Sequence, residues 1–270
     1  MLFKMKNSFL NLSKNWDLPK FELVEFKKRK NKYCLCIPVI NEGNRIIKQL
    51  KNLKSYTKIV DILILDGDST DNSLKRSFLK KIGISALLIK KSVGRQSTQL
   101  RMGFAYAMQQ EYEGIIIMDG NGKDGPEAIP RFIKALDQGY GYIQGSRFLK
   151  GGKAINTPPL RWIGIRLLFS PILSIPSLFW FTDITNGFRA CSRQYLLNSK
   201  LNPFREIFSK YELLFYLPVR AKQIGFKVCE IPVTRGYPKN EIPSKIKSFS
   251  SHINLLSTVL KTALGFYNPK

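Results

Sequence analysis

Two apolar runs in this chain deliver carboxylates in the same way. Ile62-Leu63-Ile64-Leu65 leads into Asp66-Gly67-Asp68-Ser69-Thr70-Asp71, and Ile115-Ile116-Ile117-Met118 leads into Asp119-Gly120-Asn121-Gly122-Lys123-Asp124. Short β-branched runs bounded by turn residues read as buried parallel strands. In an open α/β sheet, ligands sit beyond the carboxyl ends of the strands. Two strand ends would therefore bring carboxylates to one rim, with glycines that let a ligand approach the backbone. Such a rim suits a sugar nucleotide, whose base, ribose and diphosphate need separate polar groups. Asp-Gly is also ordinary turn chemistry, and one such strand end alone would carry little weight.

The elements that must position these loops follow from the pattern. Strands are expected over 33–37, 61–65, 85–89, 114–118 and 140–144. Helices are expected over 45–55, 71–82, 96–110 and 126–138, the last with Pro126 at its start, where proline is tolerated. This β-α alternation predicts a parallel sheet with right-handed crossovers. From Gly145 the pattern changes to a long loop containing Gly151-Gly152 and Thr157-Pro158-Pro159. An apolar segment over 160–181 follows, then Asp183 to Arg189, a helix over 211–224, a strand over 226–231 and a basic loop over 232–247. Residues 1–32 read as a basic, loosely structured lead, and 248–270 as a C-terminal amphipathic helix.

Composition narrows the classes. The chain has 270 residues, 44% hydrophobic and 12% aromatic, as a globular protein does. Its formal net charge of +25 favours anionic partners such as membrane lipid or phosphorylated substrates, or else marks solvated lysine-rich faces. The basic residues are dispersed and no nucleic-acid-binding signature accompanies them, so no nucleic-acid partner is expected. Cys34, Cys36, Cys191 and Cys229 lack metal-ligand spacing and read as reduced thiols of a cytoplasmic protein. His252 is the only histidine, which leaves little for a histidine triad or a zinc site. The apolar stretches 167–181 and 253–266 are shorter than the ~20 residues of a spanning helix, so they read as interfacial or buried. No Gly-x-Gly-x-x-Gly follows the first strand, which disfavours a dinucleotide oxidoreductase.

The ordered set Ile37-Pro38-Val39-Ile40-Asn41-Glu42, Asp66 to Asp71, the Asp119 stretch, Gly145-Ser146-Arg147, Asp183 to Arg189 and Pro243-Ser244-Lys245 resembles the family 2 glycosyltransferases. Within them it is most similar to the dolichyl-phosphate mannose synthase branch. The resemblance spans residues 33–247. It implies a GT-A fold, a Rossmann-like mostly parallel sheet flanked by helices, with C-terminal interfacial helices. It implies an inverting transfer from a nucleoside-diphosphate sugar to a polyprenyl phosphate. Pro38, Asn41, Glu42, Asp66, Asp68 and Arg95 would hold the nucleotide, and Asp119 and Asn121 a divalent cation, Mg²⁺ or Mn²⁺. Asn121 stands where the family motif has a second aspartate, so metal affinity is expected to be weakened and partly replaced by Lys123. Ser146, Arg147, Arg189 and Lys245 would bind the acceptor phosphate, and Asp183 would orient Arg189 or the acceptor. Asp119, Asp183 and Arg189 are the candidate catalytic residues. The expected setting is the cytoplasmic face of an anionic membrane surface, held peripherally, with a membrane-protein partner as an open option. Two other readings share these residues: extension of a cell-surface glycan or glycolipid, and non-catalytic nucleotide-sugar binding.

Overall fold

A computed structural model describes residues 16–239 and 249–269. Ten strands are named in chain order: β1 Phe21–Glu25, β2 Tyr33–Val39, β3 Asp61–Asp66, β4 Ala86–Lys90, β5 Gly114–Ile117, β6 Tyr142–Ser146, β7 Lys153–Ile155, β8 Arg189–Ser192, β9 Val228–Pro232 and β10 Thr234–Gly236. Eight of them form one sheet in the order β1-β4-β3-β2-β5-β8-β6-β9. β2 pairs in parallel with β3 and β5, β3 with β4, and β6 with β9. Only β1 and β8 run antiparallel to their neighbours. β7 and β10 make a separate parallel ribbon.

The buried strands explain the continuous apolar runs. Every residue of β2, β3 and β5 is buried, because helices cover both faces of the sheet. Two apolar clusters fill the layers on either side. Cys36, Leu65, Phe104, Ile117 and Leu217 belong to one, and Ile37, Ile64, Leu50, Phe132 and Ile116 to the other. Helix Gln96–Gln109 is buried along almost its whole length. The fold is thus the α/β sheet expected from the pattern.

Three local expectations differ. The helix placed over 71–82 begins only at Arg76. Asp71 instead accepts from Gly43 N (2.7 Å) and from Ser73 N and Oγ (3.1 and 2.7 Å), which spends its carboxylate on a loop clip. The lead over 1–32 contains β1, an edge strand paired with β4 from Phe21↔Lys90 to Glu25↔Ala86. The long loop after β6 carries β7, and β8 is inserted antiparallel between β5 and β6.

The apolar 160–181 segment forms helix Pro159–Ile163, a wider π-type turn Gly164–Phe169 and helix Ser170–Ser177. Helix Ser170–Ser177 packs on helix Glu212–Gln223 and on the C-terminal helix Phe249–Ala263. Val259 and Tyr267 are buried in the same core cluster as β2 and β5, so the C-terminal helix is part of the main body. Among the described residues, no helix is long and apolar enough to cross a membrane. Cys34, Cys36 and Cys191 are buried, Cys229 is half-buried, and all are unpaired thiols. Burial pushes the thiols of Cys191 and Cys229 up to about 12, which makes them inert.

Candidate active site

The ends of β2, β3, β5 and β6 lie at one edge of the sheet, since these strands share one direction. Asp66 closes β3, Asp119 follows β5, and Ser146 closes β6. Arg189 opens the antiparallel β8 and is therefore at the same edge, paired with Ile117 and Gln144. The juxtaposition expected from the sequence is present.

On the nucleotide side, the loops after β2 and β3 are clipped together. Thr70 N donates to Asn41 Oδ1 (2.8 Å), and Asn41 N donates to Ser69 Oγ (3.0 Å). Asn41 adopts φ +48°, a left-handed conformation that asparagine tolerates better than most residues. Asp66 Oδ1 accepts from Ser69 N (3.0 Å) and Oγ (2.6 Å). Burial pushes the Asp66 carboxyl up, although the Ser69 bonds oppose it. A cavity of about 230 Å³ opens beside it, lined by Asp66, Ser69, Asp71, Leu87 and Ile89 among others. Gln99 Nε2 ties the strand ends by donating to Val39 O (2.8 Å) and Leu65 O (2.7 Å). Pro38 is buried in β2, and Glu42 faces Arg45 (3.0 Å). Asp68 is exposed and paired with Lys91 (2.7 Å). Arg95 is exposed above the Tyr211 ring (5.8 Å) and lines a second cavity with Gly94, Ser209 and Lys210.

Asp119 has a partner that sequence reasoning missed. Arg235, on β10, donates from Nη2 to Asp119 Oδ2 (2.9 Å) and from Nη1 to both oxygens of Asp124 (2.7 and 2.8 Å). Burial alone would raise the Asp119 carboxyl, but Arg235 and then Arg189 hold it below the usual carboxylate range. Burial would lower the Arg235 guanidinium, and Asp124 and Asp119 more than offset it. Gln49, from helix Asn44–Leu53, clamps the loop by donating to Asp119 O (2.9 Å) and accepting from Gly122 N (2.8 Å). Gln96 Nε2 reaches Asp119 Oδ1 at 3.3 Å. Asn121 Oδ1 accepts from Lys123 N (3.2 Å).

Four cations surround Tyr237. Its hydroxyl accepts from Arg161 Nη1 (2.9 Å) and Arg147 Nη1 (3.3 Å). Lys123 Nζ lies 5.0 Å from the ring centre, and Arg235 Cζ 6.0 Å. Burial would raise the phenol, but Arg235, Arg161 and Arg147 together pull it below its ordinary value. Burial, Arg235 and Arg161 push the Lys123 ammonium down.

The expected acceptor residues are more deeply placed than their roles require. Arg147 is buried against Asp183, Nε to Oδ2 at 2.7 Å and Nη2 to Oδ1 at 2.8 Å. Asp183 therefore orients Arg147, not Arg189. Arg189 is fully buried and donates to the carbonyls of Leu214 and Asn186, while its Nε has no partner. It stands behind Asp119 as a positive charge, not open to a phosphate, because β8 places it inside the sheet. Ser146 Oγ is 2.5 Å from Thr182 Oγ1, which donates in turn to the half-buried Glu230 (2.8 Å). Lys245 lies outside the described residues.

The side chains around Asp119 are poor ligands for a divalent cation. Asp119 has one oxygen on Arg235, Asn121 is neutral, and Lys123 and Arg235 already bring positive charge. Among the described residues, no three His, Cys, Asp or Glu side chains gather as metal ligands. These residues do not fit a tightly held ion, which wants several anionic oxygens.

Comparisons with known proteins agree with this geometry. The model of the glycosyl transferase family 2 matches residues 34–198. A dolichol-phosphate mannosyltransferase of Pyrococcus furiosus is 25% identical over 236 residues, 85% of this chain and 64% of that protein. The chain thus spans a little under two thirds of that relative's length. A polyprenol monophosphomannose synthase of Mycolicibacterium smegmatis is 28% identical over 209 residues, covering 73% of this chain and 75% of that one. Among solved structures, glucosyl-3-phosphoglycerate synthase of Mycobacterium tuberculosis, in complex with Mn²⁺, UDP and glucosyl-3-phosphoglycerate, superposes with a TM-score of 0.57 at 16% identity, covering 86% of this chain and 79% of that one. Mannosyl-3-phosphoglycerate synthase of Rubrobacter xylanophilus gives 0.59 at 11% identity, covering 86% and 72%. These likenesses identify the fold as GT-A.

Proposed function

The chain belongs to glycosyl transferase family 2, and from that premise we propose that it moves a sugar from a nucleoside-diphosphate sugar to a polyprenyl phosphate at a membrane surface. The observation that carries this reading is the convergence of Lys123, Arg147, Arg161 and Arg235 on Tyr237 beside Asp119. A cationic cleft of that kind is built for two phosphates: the donor's diphosphate and the acceptor's monophosphate. The names of the two curated relatives, a dolichol-phosphate mannosyltransferase and a polyprenol monophosphomannose synthase, point the same way.

Each side has its residues. Asp66 receives the ribose in the cavity it lines with Ser69 and Asp71. Asn41 and Glu42 meet the base from the loop after β2, which Pro38 precedes, Asp68 adds a carboxylate from the loop after β3, and Arg95 stands on the second cavity. Lys123 and Arg235 face the diphosphate. Arg161 receives the acceptor phosphate, with Arg147 behind it held by Asp183. The acceptor oxygen attacks the anomeric carbon as the bond from that carbon to the diphosphate oxygen breaks. The electron pair leaves with the diphosphate, and configuration inverts. The attacking oxygen is already anionic, so no general base is needed, and Asp183, locked on Arg147, is not asked to be one. Asp119 and Asn121 would hold Mg²⁺ or Mn²⁺ only weakly.

The lipid tail has a surface to lie on. Leu160, Leu167 and Ile175 are 84%, 71% and 74% exposed on the helical segment that carries Arg161. Leu264 and Phe266, after the neighbouring C-terminal helix, are 77% and 71% exposed. Apolar side chains on a strongly basic chain suit an anionic membrane interface. The unpaired cysteines suit a reducing compartment, hence the cytoplasmic face. The catalytic unit is taken as residues 33–247, with β1 as its edge and the C-terminal helix as part of the interface.

The test is product partition. The protein is incubated with radiolabelled nucleotide sugars and membrane extract. Label in an organic-phase product that mild acid releases supports a sugar phospholipid. Label only in polymer, or bound nucleotide sugar with no transfer, would overturn it in favour of glycan extension or non-catalytic binding.

A further inference from the structure

The arrangement around Asp119 goes beyond weak metal binding. β10 is fastened to the loop that follows β5: Gly236 N donates to Lys123 O (2.9 Å) and Gly125 N to Thr234 O (3.0 Å). That fastening holds Arg235 between Asp119 and Asp124, with both of its terminal nitrogens on carboxylates. The Asp119 side chain still keeps 19% of its surface accessible, so the pair is not sealed from solvent. Arg161 and Lys123 lie beside the same Tyr237 ring, 5.5 and 5.0 Å from its centre. Among the described residues here, Arg235, Arg161 and Lys123 stand against the carboxylates of Asp119 and Asp124, with Arg147 balanced by Asp183. A divalent ion entering here meets net positive charge and carboxylate oxygens that already accept from Arg235 and, at Asp119 Oδ1, from Gln96 (3.3 Å). A diphosphate meets the opposite sign: Lys123 offers it a point charge, and Arg235 stands beside it as a fixed positive charge whose terminal nitrogens stay on Asp119 and Asp124.

We infer that Arg235 and Lys123 take the place of a divalent cation, binding the donor's diphosphate and bearing the charge of the leaving group without added metal. This inference rests on the nucleoside-diphosphate-sugar reading. Two features of the chain serve it together. Asn121 removes the second anionic metal ligand and places its oxygen on Lys123 N. Arg235 fills the charge role from another part of the chain, 116 residues away from Asp119. The fixed cation needs no uptake from solution and is positioned by backbone hydrogen bonds before the donor arrives, which is electrostatic preorganisation.

Binding is measured calorimetrically with GDP, UDP, ADP, CDP and dTDP as probes, on full-length protein dialysed against EDTA, and again with Mg²⁺ or Mn²⁺ in excess. At least one nucleotide is expected to bind in EDTA with a Kd within about threefold of its value with metal. Lys123→Ala is expected to weaken that metal-free binding about tenfold, the loss of one charge-assisted contact. Arg235→Ala would leave Asp124 buried without its counter-charge and could unfold the domain, so Lys123→Ala is the variant that decides. The double change Asn121→Asp with Lys123→Gln restores an anionic ligand and removes a cation. It is expected to make binding depend on metal. Binding that EDTA abolishes and Mg²⁺ or Mn²⁺ restores in the parent protein would overturn the inference while leaving the donor reading intact. Failure of every nucleotide to bind a folded protein in either condition would overturn both.

Discussion

Arg147 and Asp183 form a two-pronged ion pair, 2.7 and 2.8 Å long, between side chains that are almost wholly buried. The Asp183 carboxylate also accepts from Arg147 N at 3.1 Å. The pair fixes where the loop after β6 turns, and through Arg147 it fixes one of the two donors on Tyr237. Asp183→Ala is expected to cost about 3–5 kcal/mol in urea unfolding, the usual cost of leaving a buried charge unpaired. Nucleoside diphosphate affinity should change less than about threefold, since Asp183 is not on the nucleotide side. A variant as stable as the parent would show that the pair is not structural.

Tyr237 is expected to ionise before the tyrosines whose phenols burial raises. Burial raises the phenols of Tyr33, to about 12, and of Tyr112 and Tyr142, whereas the surrounding arginines lower that of Tyr237. Between the depressed folded pKa and the ordinary value near 10, the unfolded chain binds the extra proton, so stability rises with pH across that window. Below the folded pKa this contribution is absent. Absorbance titration should show an early phenolate signal that Tyr237→Phe removes. Identical curves for parent and variant would contradict the cationic cluster.

Gly187 leaves room for the Asp119 carboxylate. A Cβ there would meet Asp119 Oδ1 at 2.6 Å and Cγ at 2.7 Å. Arg235 pins that carboxylate, so it cannot move aside cheaply. Gly187→Ala is expected to retain the fold and to weaken nucleoside diphosphate binding about tenfold, because it displaces the Asp119–Arg235 pair. Unchanged binding would place the nucleotide elsewhere.

Membrane attachment should be both electrostatic and apolar. The protein is expected to float with anionic liposomes at low salt and to be released in part at high salt, as surface charges are screened. Changing Leu167 and Ile175 together to glutamate should cut the bound fraction about tenfold or more, given the free energy of burying such side chains. Absence of flotation at both salt levels would rule out the interfacial role of this segment.

Much of the fold was legible because it rests on buried parallel strands. β2, β3 and β5 are covered on both faces and so leave unbroken apolar runs in the sequence. β8 was not legible, since Arg189-Ala190-Cys191-Ser192 is short and opens with a charge whose burial only tertiary structure explains. β1 was hidden by its lysine-rich surroundings, although Phe21-Glu22-Leu23 alternates apolar and charged residues as a half-buried strand does. At the site, Asp66 and Asp119 could be read because a strand end announces them. Arg235, Arg161, Tyr237 and Gln49 could not, since each acts through partners tens of residues away and carries no local signature. Gly236 N bonded to Lys123 O is what brings β10 to the site, and no spacing rule foretells that bond.

The central claim is that the nucleophile is a phosphate oxygen received by the cations around Tyr237. It is tested most directly by offering the purified protein one active nucleotide sugar with a polyprenyl phosphate or with the corresponding polyprenol. Transfer to the phosphate alone, much reduced in Arg161→Ala, is the expected result. Comparable transfer to the polyprenol, or an Arg161→Ala variant as active as the parent, would contradict it.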